Sequence, residues 1–191
     1  MEAPRIVLAS ASPRRRELLA QVGIHAEVRP TGADEHCRAK TPAGIVKALS
    51  RRKAENAAAG LADGTVVIGA DTIVVLDGEV LGKPKDREDA VRMIRELSGR
   101  AHRVYTGVTL IEKGRRSVTF AERTDVHVRE MTDGEISAYV DSGEPMDKAG
   151  AYGIQGRFAA YVSGIRGDYA NVVGLPLCAV MKIMEEWNII P

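Results

Sequence analysis

The sequence predicts a mixed-sheet α/β or α+β architecture, and two observations carry that prediction. Strand-type apolar runs are interleaved with helical segments along the whole chain, and tight turns at Asp77-Gly78 and Lys113-Gly114 join neighbouring strands as hairpins. A purely parallel sheet has no use for such hairpins. With 191 residues, 45% of them hydrophobic, residues 1–191 have the material for one domain with a substantial core and room for two lobes.

RIVLAS is a short apolar run of strand character. Pro13 then opens a helix to about Gln21, with Ser12 suited to the N-cap and Leu18, Leu19 and Val22 at helical spacing. HAEVRP reads as a second strand and TGADEHCRAK as a polar loop. Thr41-Pro42 starts a helix that continues through AGIVKALSRRKAENAAA to a stop at Gly60. TVVIGADTIVVL is a long strand that turns at Asp77-Gly78 into EVLG. Asp86 caps REDAVRMIRELSG, whose Ala90, Val91, Ile94 and Leu97 share an apolar face, and Gly99 ends it. HRVYTGVTLIEKGRRSVTFAERTDVHVRE alternates as two strands about Lys113-Gly114. MTDGEISAYVDSG is a short helix, GEPMDKAGAYGIQG a Gly-rich loop, and a helix from about Leu175 to Trp187 closes the chain.

Composition excludes several classes of function. The 27 basic and 26 acidic residues leave a net charge of +1, so no global field grips nucleic acid or a membrane surface, and any charged ligand must be met locally. Aromatic residues at 4% leave few platforms for stacking single-stranded bases, which disfavours a nucleic-acid partner. Cys37 and Cys178 form no C-x-x-C pair, and two cysteines in a chain of this size read as cytosolic. The sequence reads as having no signal peptide, and it contains no apolar run of 18 residues. His25, His36, His102 and His127 are scattered without metal-site spacing.

Certain residues sit where their chemistry is unwelcome. Arg14, Arg15 and Arg16 fill the first turn of the helix after RIVLAS, where the positive end of the dipole favours Asp and Glu. Two readings are open: exposed arginines that pair with Glu17 or solvent, or an anion site in which guanidinium groups and a serine hydroxyl converge on phosphate. Asp71 interrupts VVIGA-D-TIVV, a run that otherwise reads as a buried strand, and a buried carboxylate needs a cation, hydrogen bonds or a metal. Its alternative role is bonding loop backbone at a strand end. Lys53 shares an i, i+4 strip with Ile45, Leu49 and Ala57, so it either snorkels or points its ammonium at an internal anion. Lys83, between Gly82 and Pro84, occupies a rigid turn where a solvated lysine is common. The Asp34-Glu35 pair lies in a polar loop, where it is either solvated or, through Glu35, a source of oxygen for a hard cation. Gly150, Gly153 and Gly156 do not have the G-x-G-x-x-G spacing and mark a structured loop with room for a ligand or tight turns.

Taken together, SASPRRRELL, GADTIVV, LGKP, ELSGRAHRVYTGV and EPMDKAGAYGIQG resemble, in order and over essentially the whole chain, the Maf family of nucleoside triphosphate pyrophosphatases. Arg14, Thr72 and Gln155 are similar to the branch acting on dTTP and UTP, and differ from the sister branch acting on 7-methyl-GTP. The resemblance implies a mixed α/β fold with a cleft between two lobes, like the inosine triphosphate pyrophosphatases. It also implies a reaction site of Ser10, Arg15, Glu35, Lys53, Asp71 and Lys83, with Asp71 the proton acceptor, a requirement for Mg²⁺ or Mn²⁺, and frequent homodimers.

On that resemblance, water cleaves the α–β phosphoanhydride of a nucleoside triphosphate, giving the monophosphate and pyrophosphate. Glu35 and Asp71 hold the divalent cation, Ser10 and Arg15 bind phosphate, and Arg15, Lys53 and Lys83 neutralise the triphosphate, while Arg14, Thr72 and Gln155 read the base. Arg16, about 100° further around the helix from Arg15, is a surface residue. A metal-bound carboxylate is a poor base, so the two roles given to Asp71 compete. The alternative is a nucleotide-sensing protein that regulates cell division through partner binding, which has little need of a buried carboxylate beside triphosphate charge.

Overall fold

The computed structural model describes residues 4–32 and 37–190. Its sheet is mixed and flanked by helices, and the order of elements is close to that expected. The strands are β1 (Ile6–Leu8), β2 (Glu27–Val28), β3 (Val66–Leu76), β4 (Glu79–Leu81), β5 (Ala101–Glu112), β6 (Arg116–Val128) and β7 (Val162–Arg166). The helices are α1 (Pro13–Gln21), α2 (Pro42–Ala58), α3 (Arg87–Leu97), α4 (Asp133–Val140), α5 (Tyr169–Val173) and α6 (Leu177–Glu186). The strands hydrogen-bond in the order β2-β1-β3-β5-β6-β7, with β4 on β3. β1 runs parallel to β2 and β3, whereas the pairs β3–β4 and β6–β7 are antiparallel.

The chain divides into two compact units, Met1–Asp71 with Thr106–Glu122 and Gly174–Pro191, and Thr72–Tyr105 with Arg123–Val173. In the first unit α2 lies directly on β3 and β5, and its backbone comes so close that glycine is required beneath it. A Cβ on Gly69 would stand 2.7 Å from the Ala54 nitrogen and would overlap the Ser50 carbonyl oxygen, and one on Gly107 would collide with the Val46 carbonyl. A small apolar core of Val7, Ala9, Ala54, Ala57, Ala58, Leu61 and Val67 fills the rest of that contact. The buried Ser50 hydroxyl is satisfied by Thr109 at 3.1 Å, which bonds Thr119 on β6 at 3.0 Å.

The N-termini of α2, α3 and α4 follow local chemistry, whereas those of α1 and α6 carry no side-chain cap. The side chains of Thr41 and Asp86 accept from the Gly44 and Asp89 amides, and Thr132 with Glu135 forms a reciprocal capping box. Both α3 and α4 carry acids in the first turn, as the dipole favours. Ser12 takes the N-cap position of α1 but makes no side-chain capping bond, contrary to expectation, and its own N–H donates to Ser10 Oγ at 3.2 Å. Three further differences are small. Met93 rather than half-buried Val91 completes the buried face of α3, the closing helix starts at Leu177, and β7 with α5 occupies a stretch that no sequence pattern marked.

The second unit packs a buried aromatic cluster on its sheet: Tyr139, Tyr152 and Phe158, with half-buried Tyr161 at the edge. His102, 2% exposed, bonds the Tyr152 hydroxyl through Nε2 at 2.7 Å, and its Nδ1 has no partner among the described residues. Burial, helped by the charge of His127, pushes this imidazole down to about 4. The unfolded chain, with histidine near 6.5, therefore binds the extra proton between pH 6.5 and 4, so the neutral-His102 contribution is present above 6.5 and is lost as pH falls through that window. The loss is about 2 kcal/mol by pH 5, or about 5 °C in melting temperature. Thermal melts at pH 7 and pH 5 should show this drop, and His102→Gln should shrink it. An equal pH dependence in the variant would exclude His102 as its source.

Candidate active site

The C-terminal end of β1 leads through Ala9 and Ser10 into the first turn of α1. Ser10 is buried, and its Oγ accepts from Arg15 Nη1 at 2.8 Å as well as from the Ser12 amide. Arg15 Nε donates to the Gly174 carbonyl at 2.7 Å, so a residue 159 positions away fixes the guanidinium in place. Burial pushes Arg15 down to about 10 against the pull of Asp71, and neighbouring Arg14 pushes the same way as burial. The group nevertheless stays a cation at neutral pH. Arg14 is half-buried and Arg16 exposed, which divides the three arginines as the helical spacing predicts.

Asp71 is 8% exposed although it lies in the interior of β3, and the reason is Lys53. The ammonium on α2 donates to Asp71 Oδ1 at 2.5 Å, which resolves the sequence alternatives for both residues in favour of an internal ion pair. The close approach at Gly69 makes the pair possible, since Gly69 and Asp71 share the face of β3 turned to the helix. Such a pair offsets the cost of burying either charge, but hydrophobic residues of the same volume would do as well or better for stability. Stability alone therefore does not account for the pair.

In the second unit, Thr72 is half-buried and projects from the opposite face of β3, on the side of Val74 and the Gly-rich loop. Asp71 and Thr72 lie between the segment of β3 that pairs with β1, Val66–Ile68, and the segment that pairs with β4, Val74–Leu76. Lys83 is exposed in its turn, and the preceding residue, Gly82, accepts a hydrogen bond from the Gly150 amide at 3.0 Å. Gly150 adopts φ +70° with Val74 2.9 Å from where a Cβ would be, so no other residue fits there. Gln155 is exposed at the far end of the same loop. Glu35 lies outside the described residues.

No group of three His, Cys, Asp or Glu side chains that could cage a metal exists among the described residues. One buried carboxylate suits a Mg²⁺-like ion all the same, because such ions are held by one or two carboxylates together with substrate phosphates and water. Both cysteines are free thiols, and no described helix is long and apolar enough to cross a membrane.

The Gly174 carbonyl, Glu144 and Tyr139 were not singled out by sequence. The acidic residue before proline at the head of a Gly-rich loop was the available signal for Glu144, and nothing local marked the other two.

A buried aspartate with a lysine against it and an arginine close enough to feel its charge is set into the mixed sheet of an α/β protein, an arrangement suited to meeting an anionic ligand. Residues 5–187 match the Maf-like protein family, and the chain belongs to that family. It is 54% identical over 188 residues to a dTTP/UTP pyrophosphatase of Moorella thermoacetica, covering 97% of this chain and 96% of that one. It is 47% identical over 201 residues to a dTTP/UTP pyrophosphatase of Agathobacter rectalis, covering 97% and 98%. Among solved structures, a HAM1 protein from Coxiella burnetii shares the fold, with a TM-score of 0.51 at 15% identity over 96% of this chain and 99% of that one.

Proposed function

We propose that the chain, acting as one domain, is a nucleoside triphosphate pyrophosphatase that hydrolyses dTTP and UTP at the α–β phosphoanhydride. The observation that carries this reading is the Lys53–Asp71 pair within the field of Arg15, and the names borne by relatives at about half identity support the choice of substrate. Arg15 and Ser10 bind phosphate oxygens at the first turn of α1, where the dipole, the hydroxyl and the guanidinium act in the same direction. Lys53 and Lys83 neutralise charge that accumulates on the departing pyrophosphate. Asp71 orients a water toward the α-phosphorus and accepts its proton as the new P–O bond forms and the bridging oxygen leaves with pyrophosphate. When bound, the divalent cation, Mg²⁺ or Mn²⁺, would be held by Glu35 and, in competition with its role as base, by Asp71, and would supply Lewis-acid neutralisation of the phosphate oxygens. Arg14, Thr72 and Gln155 read the pyrimidine through its O2 and O4 acceptors and N3 donor. We place the enzyme in the cytoplasm, as a homodimer, on its two free thiols and its family.

The test is a product assay on a nucleotide panel. Pyrophosphate and monophosphate are expected from dTTP and UTP when Mg²⁺ is present, and excess chelator should abolish turnover. Orthophosphate as the first product would overturn the proposed bond cleavage.

A further inference from the structure

We propose that Glu144 and Tyr139 are positioning residues that set the base-reading segment Gly153–Arg157 and so determine its selectivity, an inference that rests on Gln155 reading the base. Both ends of the segment are tied to one carboxylate. Glu144 Oε2 accepts from the Arg157 amide at 2.9 Å, while Oε1 accepts from the Tyr139 hydroxyl at 3.0 Å, and that hydroxyl accepts in turn from the Gly153 amide at 3.3 Å. Gln155 sits midway between the two tethered amides. The carboxylate occupies the space beneath the loop so completely that a Cβ on Gly156 would collide with it, and Lys148 lies 2.7 Å from where a Cβ on Gly153 would be. Lys148 Nζ also donates to the Glu144 carbonyl at 2.7 Å, which holds the clamp from its own backbone.

The hydroxyl of Tyr139 has little freedom to do anything else. Its ring is 2% exposed and packs against Phe158 with centroids 5.0 Å apart, and burial together with the Glu144 charge pushes the phenol well up, so it remains a neutral donor. The directions of the bonds make the carboxylate specific. An amide at position 144 cannot accept from both the Arg157 N–H and the Tyr139 O–H, because one of its two ends is itself a donor. Glu144→Gln is therefore nearly isosteric yet leaves one neutral acceptor where the carboxylate offered two charged ones, so it weakens the clamp, and Tyr139→Phe removes the Gly153 tether without changing ring packing.

The experiment compares kcat/KM for UTP and CTP, with Mg²⁺, in wild type, Glu144→Gln, Tyr139→Phe, Gln155→Ala and the Glu144→Gln/Gln155→Ala double variant. Each clamp variant is expected to lower the UTP-to-CTP ratio by about threefold to tenfold, the scale of one lost hydrogen bond, with kcat on UTP changed less. In the double variant the Glu144 change should add nothing further to the ratio, since it acts through Gln155. Hydrogen exchange at the Gly153 and Arg157 amides should accelerate in Glu144→Gln whatever the turnover. Equal losses for both nucleotides with a lower melting temperature would reduce the clamp to a stabilising role and overturn the proposal. A ratio that moves in Gln155→Ala alone overturns the clamp and leaves the base-reading assignment standing. A ratio unmoved in Gln155→Ala overturns that assignment and the proposal with it, and unchanged exchange overturns the clamp independently of catalysis.

Discussion

Asp71→Asn is expected to keep the fold and to lose at least about a hundredfold in turnover. The amide matches the carboxylate in shape, so the buried position in β3 is refilled without a cavity. What disappears is the charge needed either to accept a proton or to hold a cation. Lys53 then faces an amide rather than an anion across the 2.5 Å contact, but its ammonium is within reach of solvent and can rehydrate, so the fall in melting temperature should be modest. Steady-state kinetics on dTTP and UTP beside thermal melts of the same preparation decide the matter. Near-normal turnover in a folded variant would leave Asp71 as the structural partner of Lys53 and remove it from the chemistry.

Gly69→Ala should damage both stability and activity without touching any group in the proposed chemistry. A methyl there has backbone on its far side, with Ser50 and Ala54 of α2 as the colliding residues, and backbone does not move aside as a flexible side chain would. Overpacking of this kind costs about 1 to 3 kcal/mol. The helix that must shift is the one that carries Lys53, and a displacement on the order of 1 Å at a catalytic group can cost about a hundredfold in rate. We therefore expect kcat/KM to fall far more than the melting temperature suggests. Gly164→Ala is the control, because a Cβ there meets nothing within 4 Å and its φ is ordinary. If Gly69→Ala melts lower yet keeps its rate, the registration of α2 on β3 is unimportant to catalysis.

The elements that could be read from sequence are those whose pattern is local. β3 declares itself by a long apolar run interrupted only at Asp71-Thr72, α3 by its cap and stripe, and the hairpin at Asp77-Gly78 by its dipeptide, whose two residues both take positive φ. β7 was missed because VSGIR is five residues with a glycine at its centre and no fully buried position, and it exists as a strand through pairing with β6. The absent cap at Ser12 was missed for a related reason. Composition favours a serine there, but which serine hydroxyl meets which amide depends on the path of the chain between β1 and α1.

The candidate site divides along the same line. That Asp71 is buried, that Lys53 lies on an apolar strip and that three arginines oppose a helix dipole are consequences of periodicity and composition, fixed before any folding is considered. Their partners are not. Lys53 finds Asp71 because a glycine lets α2 press onto β3, Arg15 is held by a carbonyl 159 residues away, and Glu144 bridges a tyrosine hydroxyl to two loop amides. Sequence alone determines which side chains are out of place, because burial and helical phase are set by near neighbours. Only the tertiary structure decides what each is out of place for, because a charge or a hydrogen bond is satisfied by whatever distant group the packed backbone brings within about 3 Å.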